Sequence, residues 1–190
     1  MIYLGTSGWP RGEGWDGLSP RQRRRRYFEL FNSVELIQTR RRVPDWDVVS
    51  RWRAYAPAGF VYSWVAPRYL SYRPDGDERR ALRRFLRRHK RLDRARGGVR
   101  FALPRNADPA AFAEWLAMLA GLELPGDYAF ELPAELAGLL EPYGWVAVNQ
   151  PGTWQYQLDR PPLAGRNGYA YYSSLAAALG YQREVAPQRG

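Results

Sequence analysis

Residues 77–103 read DERRALRRFLRRHKRLDRARGGVRFAL, and two periodicities meet inside them. Leu82, Phe85, Leu86, His89 and Leu92 recur at intervals of three and four, which places them on one stripe of a helix. Arg79, Arg80, Arg83, Arg84, Arg87, Arg88, Lys90, Arg91 and Arg94 cover the rest of its surface. The spacing predicts a helix over 77–96 that packs one face and solvates a basic one. Gly97-Gly98 stops it, and the apolar run 99–103 follows as a strand. A packed helix passing through a glycine break into a short apolar strand is one unit of an alternating α/β fold on a parallel sheet.

The alternation extends in both directions. Upstream, strands are predicted over 2–5, 33–37 and 60–66, with a helix over 20–31 and another after the N-cap candidate Asp45 that turns Val48, Val49, Trp52 and Tyr55 to one side. Downstream, Asp108-Pro109 opens a helix with an inner stripe of Phe112, Trp115, Leu116 and Leu119, stopped by Gly121. Strands over 128–132 and 145–150 flank a short helix over 134–140. After residue 150 the pattern thins to a strand over 169–172 and a helix over 174–179. The architecture expected is a TIM-barrel-like (β/α) barrel. A full eight-unit barrel takes roughly 250 residues, so this one is read as trimmed to about six or seven βα units, closed or open. The domain is read as 1–182, with 183–190 a tail.

Composition agrees with one packed domain. The 190 residues are 45% hydrophobic and 15% aromatic, with 8 Trp and 13 Tyr, enough to bury a core and exclude wholesale disorder. Cys is absent and His89 is the single histidine, which excludes disulfides, thiolate metal sites and Cys nucleophiles. Any metal would have to be a hard cation on carboxylate and amide oxygens, so no metal site is expected, and no cofactor is required. No apolar run is long enough to span a bilayer, and the N-terminal stretch has no secretory pattern; the expectation is a cytoplasmic protein without a membrane partner. The net charge is +10, and 28 of the 29 basic residues are Arg. Residues 1–105 carry 25 basic against 10 acidic side chains, and 106–190 carry 4 against 9. The positive field belongs to the first half, which suits an anionic partner.

Five ordered segments carry a resemblance. They are LGTSGW (4–9); Asn32-Ser33-Val34-Glu35 with Thr39, Arg42 and Pro44; Trp52, Pro57, Gly59-Phe60 and Ala66-Pro67-Arg68; Phe101 with Leu103-Pro104; and Phe130-Glu131-Leu132. Together they resemble the YecE-like family, domain of unknown function 72, of which the chain is identified as a shortened and diverged member. The resemblance implies a TIM-barrel-like fold with a cleft at the C-terminal strand ends and a biochemical activity that is not settled. Ile37, Arg40-Arg41, Val65, Ala102 and Pro133-Ala134 stand where the family pattern has Asn, Phe-Tyr, Lys, Gln and Arg-His, so most of the polar groups of its cleft are replaced.

Glu35 and Glu131, on two strands of one sheet, are the candidate catalytic pair: two carboxylates facing one cleft can act as acid and base. The alternative is that neighbouring Arg residues hold each as a structural ion pair. Arg42, Arg68 and Arg105 each follow a strand by a few residues and are candidate anion clamps, with Arg40 and Arg41 beside them. Thr6 and Ser7 offer hydroxyls after the first strand, Trp9 offers a ring to stack on a ligand or pack beneath the loop, and Asn149 and Gln150 end the sixth strand. His89, one turn before Asp93, lies in an apolar stripe and reads as a packed histidine.

Three functional classes follow: a protein with a small anionic, possibly phosphorylated, ligand in the cleft, whether enzyme or not; a nucleic-acid binder using the basic outer helix faces; and an inactive scaffold.

Overall fold

The computed structural model describes residues 1–12, 14–70 and 78–185. Among them are eight strands, β1 (Ile2–Thr6), β2 (Ser33–Leu36), β3 (Val61–Val65), β4 (Arg96–Ala102), β5 (Tyr128–Glu131), β6 (Val146–Ala147), β7 (Gln155–Leu158) and β8 (Gly168–Tyr172). Every pairing is parallel, in two ladders ordered β2-β3-β4-β5-β6 and β1-β8-β7. Helices α1 (Pro20–Leu30), α2 (Trp46–Tyr55), α3 (Glu78–Lys90), α4 (Pro109–Ala120) and α5 (Leu175–Val185) follow β1, β2, β3, β4 and β8, and a 3-10 segment, Ala134–Tyr143, follows β5. β6 and β7 run on through loops alone, so the trimming falls on helices while eight strands remain. The fold is α/β and TIM-barrel-like.

Two asparagines work at the seams between the ladders. Asn32 Oδ1 accepts from the Leu4 amide at 2.7 Å and Asn32 Nδ2 donates to the Ile2 carbonyl at 3.1 Å, while the Gly8 amide donates to the Glu35 carbonyl at 2.8 Å. Gly5 is required here, because a Cβ would lie 2.0 Å from the Ser33 carbonyl oxygen. Across the other seam, Asn149 donates its amide to the Tyr156 carbonyl at 3.0 Å and accepts from the Leu158 amide at 2.7 Å.

Side chains alternate between two layers. Val34, Leu36, Tyr62, Trp64, Val99, Phe101 and Phe130 point to the helices and form the larger core with Tyr27, Val49, Leu82, Phe85, Phe112 and Leu116. Its rings pack at contact distance: Trp64 lies 5.4 Å from Phe85, and Phe101 lies 5.2 Å from Phe130 and 5.5 Å from Trp115. On the opposite face, Val61, Ala129, Val146, Tyr156, Tyr169 and Tyr171 form a second cluster inside the sheet curvature. β3 is buried on both faces, and Ser63 at its centre is the one non-aromatic polar side chain, turned to the interior.

Several boundaries differ from the sequence expectation. α3 ends at Lys90, and Asp77 lies outside the described residues. Gly97 and Gly98, expected to stop the helix, are inside β4, because a Cβ on Gly97 would come within 2.5 Å of Ser63 Oγ and the Gly98 amide donates to that same oxygen at 2.9 Å. Strand β7 was not anticipated in the thin region after residue 150. α5 runs to Val185, beyond the helix end expected at 179, and Gln182 Nε2 donates to the Leu30 carbonyl at 2.6 Å.

Candidate functional site

Glu35 is the centre of the polar interior. It sits on β2 between Val34 and Leu36, which face the helices, so strand alternation turns it inward, and it is 0% exposed. Its Oε1 accepts from Arg100 Nε at 2.8 Å and Tyr156 Oη at 2.7 Å; its Oε2 accepts from Ser7 Oγ at 2.5 Å and Arg100 Nη2 at 3.1 Å. Burial alone would raise the Glu35 pKa. The charge and hydrogen bonds of Arg100, helped by Ser7 and Tyr156, outweigh it and hold the carboxyl below its ordinary value. Arg100 keeps its proton for the complementary reason.

Arg100 Nη1 also donates to Glu131 Oε2 at 2.7 Å. The two candidate catalytic carboxylates therefore meet through one guanidinium, Glu35 buried and Glu131 with 57% of its side chain exposed at the end of β5. With four donors on two oxygens, Glu35 is a fixed anion with little capacity to exchange a proton. A second buried polar group lies in the same interior, where Tyr171 Oη donates to Ser63 Oγ at 2.7 Å and lies 2.5 Å from Ser33 Oγ.

A cleft of about 780 Å³ opens at the C-terminal ends of β1, β2 and β8. Its walls include Ser7, Trp9, Arg11, Arg41, Ser173 and Leu175. The guanidinium groups of Arg11 and Arg41 make no ion pair or side-chain hydrogen bond among the described residues. Ser174 Oγ accepts from the Ala177 amide at 3.4 Å, and the Leu175 amide at the head of α5 has no acceptor among the described residues.

The structure divides the sequence candidates. Ser7 and Trp9 line the cleft, with Trp9 also packed edge-on to Tyr27 at 5.0 Å. Thr6 lines it too, but its hydroxyl is buried, donating to the Gly8 carbonyl at 2.7 Å. Arg42 does not reach the cleft: it is 80% exposed and pairs with Asp45 at 3.0 Å. Arg68 and Arg105 are exposed and also outside its walls. Asn149 holds the β6–β7 seam, and its φ of 61° places it in the left-handed region that Asn tolerates. His89 is buried within the core, 5.0 Å from the Trp64 ring.

Sequence reasoning missed Arg100, Tyr156 and Arg41's advantage over Arg42. Arg100 had a readable signal, because an Arg between Val99 and Phe101 in a strand buried on both faces must find a buried anion. Tyr156 lay in the strand that was not recognised.

Comparison with known proteins agrees with this architecture. A DUF72 family protein from Thermotoga maritima MSB8 superposes with a TM-score of 0.75 at 18% identity, covering 98% of this chain and 99% of the other. One from Enterococcus faecalis V583 superposes with a TM-score of 0.72 at 12% identity, covering 98% of each chain. Among curated proteins no sequence matches. The family model described as "Protein of unknown function DUF72" matches residues 3–134, more than half of the chain and the part that contributes Glu35, Arg100, Glu131 and the first two walls of the cleft, and the chain belongs to that family.

Proposed function

We propose that this protein binds a small anionic ligand, bearing a phosphate or carboxylate, in the cleft at the ends of β1, β2 and β8. One observation carries the reading: Arg41, without an ion-pair partner among the described residues, and the free Leu175 amide at the head of α5 line the same cleft. A guanidinium offers a charged fork and a helix N-terminus offers oriented N–H groups, and both complement oxyanions. In (β/α) barrels the loop after the last strands, together with a helix N-terminus, is a frequent phosphate seat. The arrangement supports binding better than acid–base catalysis, since Glu35 is saturated with donors and Glu131 is ion-paired with Arg100.

Thermal unfolding in phosphate against chloride at matched ionic strength tests this. Phosphate raises Tm if it binds the folded state. Arg41→Ala removes the shift and Arg42→Ala keeps it. An absent shift, or one equally large in Arg41→Ala, defeats the reading.

A further inference from the structure

The three helices after β1, β2 and β3 hold 14 basic and 3 acidic residues, whereas α4, the 3-10 segment and α5 together hold 1 basic and 4 acidic. One side of the molecule therefore carries the positive field. Within it, a groove of about 700 Å³ runs between α1 and α2, and no acidic side chain lines it among the described residues. Arg11, Arg23, Arg24 and Arg51 reach into it, and none makes an ion pair among the described residues.

The groove is also aromatic. Trp52 and Tyr55 line it from α2, and Tyr55 is 47% exposed with the Arg24 guanidinium 4.4 Å from its ring centre. A charged rim without ion pairs among the described residues would suit many anions, although Arg23 Nε also donates to the Leu18 carbonyl at 3.1 Å. Flat rings along the floor add a preference that simple anions cannot use, because they offer no face to stack on. An anionic membrane surface does not fit well either, since the aromatic groups lie in a depression rather than on a protruding face.

We propose that this groove binds single-stranded nucleic acid, with Arg23, Arg24 and Arg51 on consecutive phosphates and Tyr55 stacked against a base. Unpaired guanidinium groups tracking a backbone beside aromatic platforms are the means by which proteins hold single strands without reading sequence. A duplex hides its base faces and gains nothing from Tyr55. The groove adjoins the anion cleft at Trp9–Arg11, but the proposal uses residues outside that cleft and stands or falls separately.

The test is fluorescence anisotropy with labelled oligothymidylate and oligouridylate of equal length, against a DNA duplex and vesicles containing phosphatidylserine. Both single strands should bind at about 50 mM salt and weaken steeply as salt rises; the tighter of the two identifies the strand as DNA or RNA. Combined Arg23→Glu, Arg24→Glu and Arg51→Glu should lower affinity tenfold or more and reduce the log–log salt slope by about 2, from three lost phosphate contacts. Tyr55→Ala, at a half-exposed position, should weaken single-strand binding about tenfold while leaving duplex binding unchanged. Reversal of Arg83 and Arg87 on α3 and of Arg91 just after it, all outside the groove, should cost much less than the groove reversal. Absence of binding at low salt, equal losses from the two triple reversals, no effect of Tyr55→Ala, or vesicle binding as tight as single-strand binding would each overturn the proposal.

Discussion

Glu35 and Arg100 lie 65 residues apart in sequence and are joined inside the sheet by two hydrogen bonds, at 2.8 and 3.1 Å. Arg100→Met removes the guanidinium and leaves a buried carboxylate with only Ser7 and Tyr156, at an expected cost of about 3–5 kcal/mol. Glu35→Gln in the same chain removes the stranded charge and should restore part of the loss. Glu131→Gln should cost under about 1 kcal/mol, since that carboxylate is more than half exposed. Urea unfolding of the four proteins measures all three. A double variant less stable than Arg100→Met alone would refute the charge-compensation account.

His89 gives the stability a pH dependence. Burial, followed by the nearby positive charge of Arg96, pushes its pKa down from 6.5 to about 3, against a smaller opposing hydrogen bond with the Tyr62 backbone. The unfolded chain then takes up a proton that the folded chain refuses, so stability falls as pH drops from 6.5 toward 3, by about 1.4 kcal/mol per pH unit. Glu35 works in the same direction only at lower pH: its depressed pKa confers stability that is present above the ordinary carboxylate pKa of about 4.3 and lost as pH falls through its folded value. The interval from about pH 6.5 to 4.5 therefore reports His89. His89→Phe should flatten the slope of unfolding free energy there, and an unchanged slope counts against the assignment.

Gly5→Ala should destabilise by at least about 3 kcal/mol. Its Cβ meets the backbone oxygen of Ser33, which cannot rotate aside, so the cost sits at or beyond the upper end for overpacking. Gly12→Ala, at a φ of 90° with open space around it, should cost only the strain of its backbone conformation, about 1–2 kcal/mol. Equal losses at the two positions would mean that the β1–β2 contact is not close-packed.

Asn149→Asp retains the acceptor for the Leu158 amide and tolerance of positive φ, and should change stability little. Asn149→Ala loses both and should cost about 1–3 kcal/mol. Hydrogen exchange at the Leu158 amide gives the local reading, with faster exchange in the Ala variant and near-native protection in the Asp variant.

The α/β class, the order of the first five strands and the helix faces were legible in the sequence because each rests on local periodicity. Leu82, Phe85, Leu86 and His89 are buried on one side of α3 as their spacing requires. The four-residue β7 and the two-residue β6 were not defined correctly, since strands that short carry almost no periodic signal. Glu35 and Glu131 were visible as inward carboxylates at strand positions. Which of 28 arginines would join them was not, because that choice depends on the stagger of strands β2, β4 and β5 about a common interior. Arg42 and Arg41 are neighbours with the same chemistry, yet one is held by Asp45 at the surface and the other faces the cleft. Sequence alone determined the longer elements and the uneven charge, through side-chain period and composition. Tertiary structure decided the partners, because a buried charge is satisfied by whatever the curvature of the sheet brings within hydrogen-bond distance, irrespective of separation along the chain.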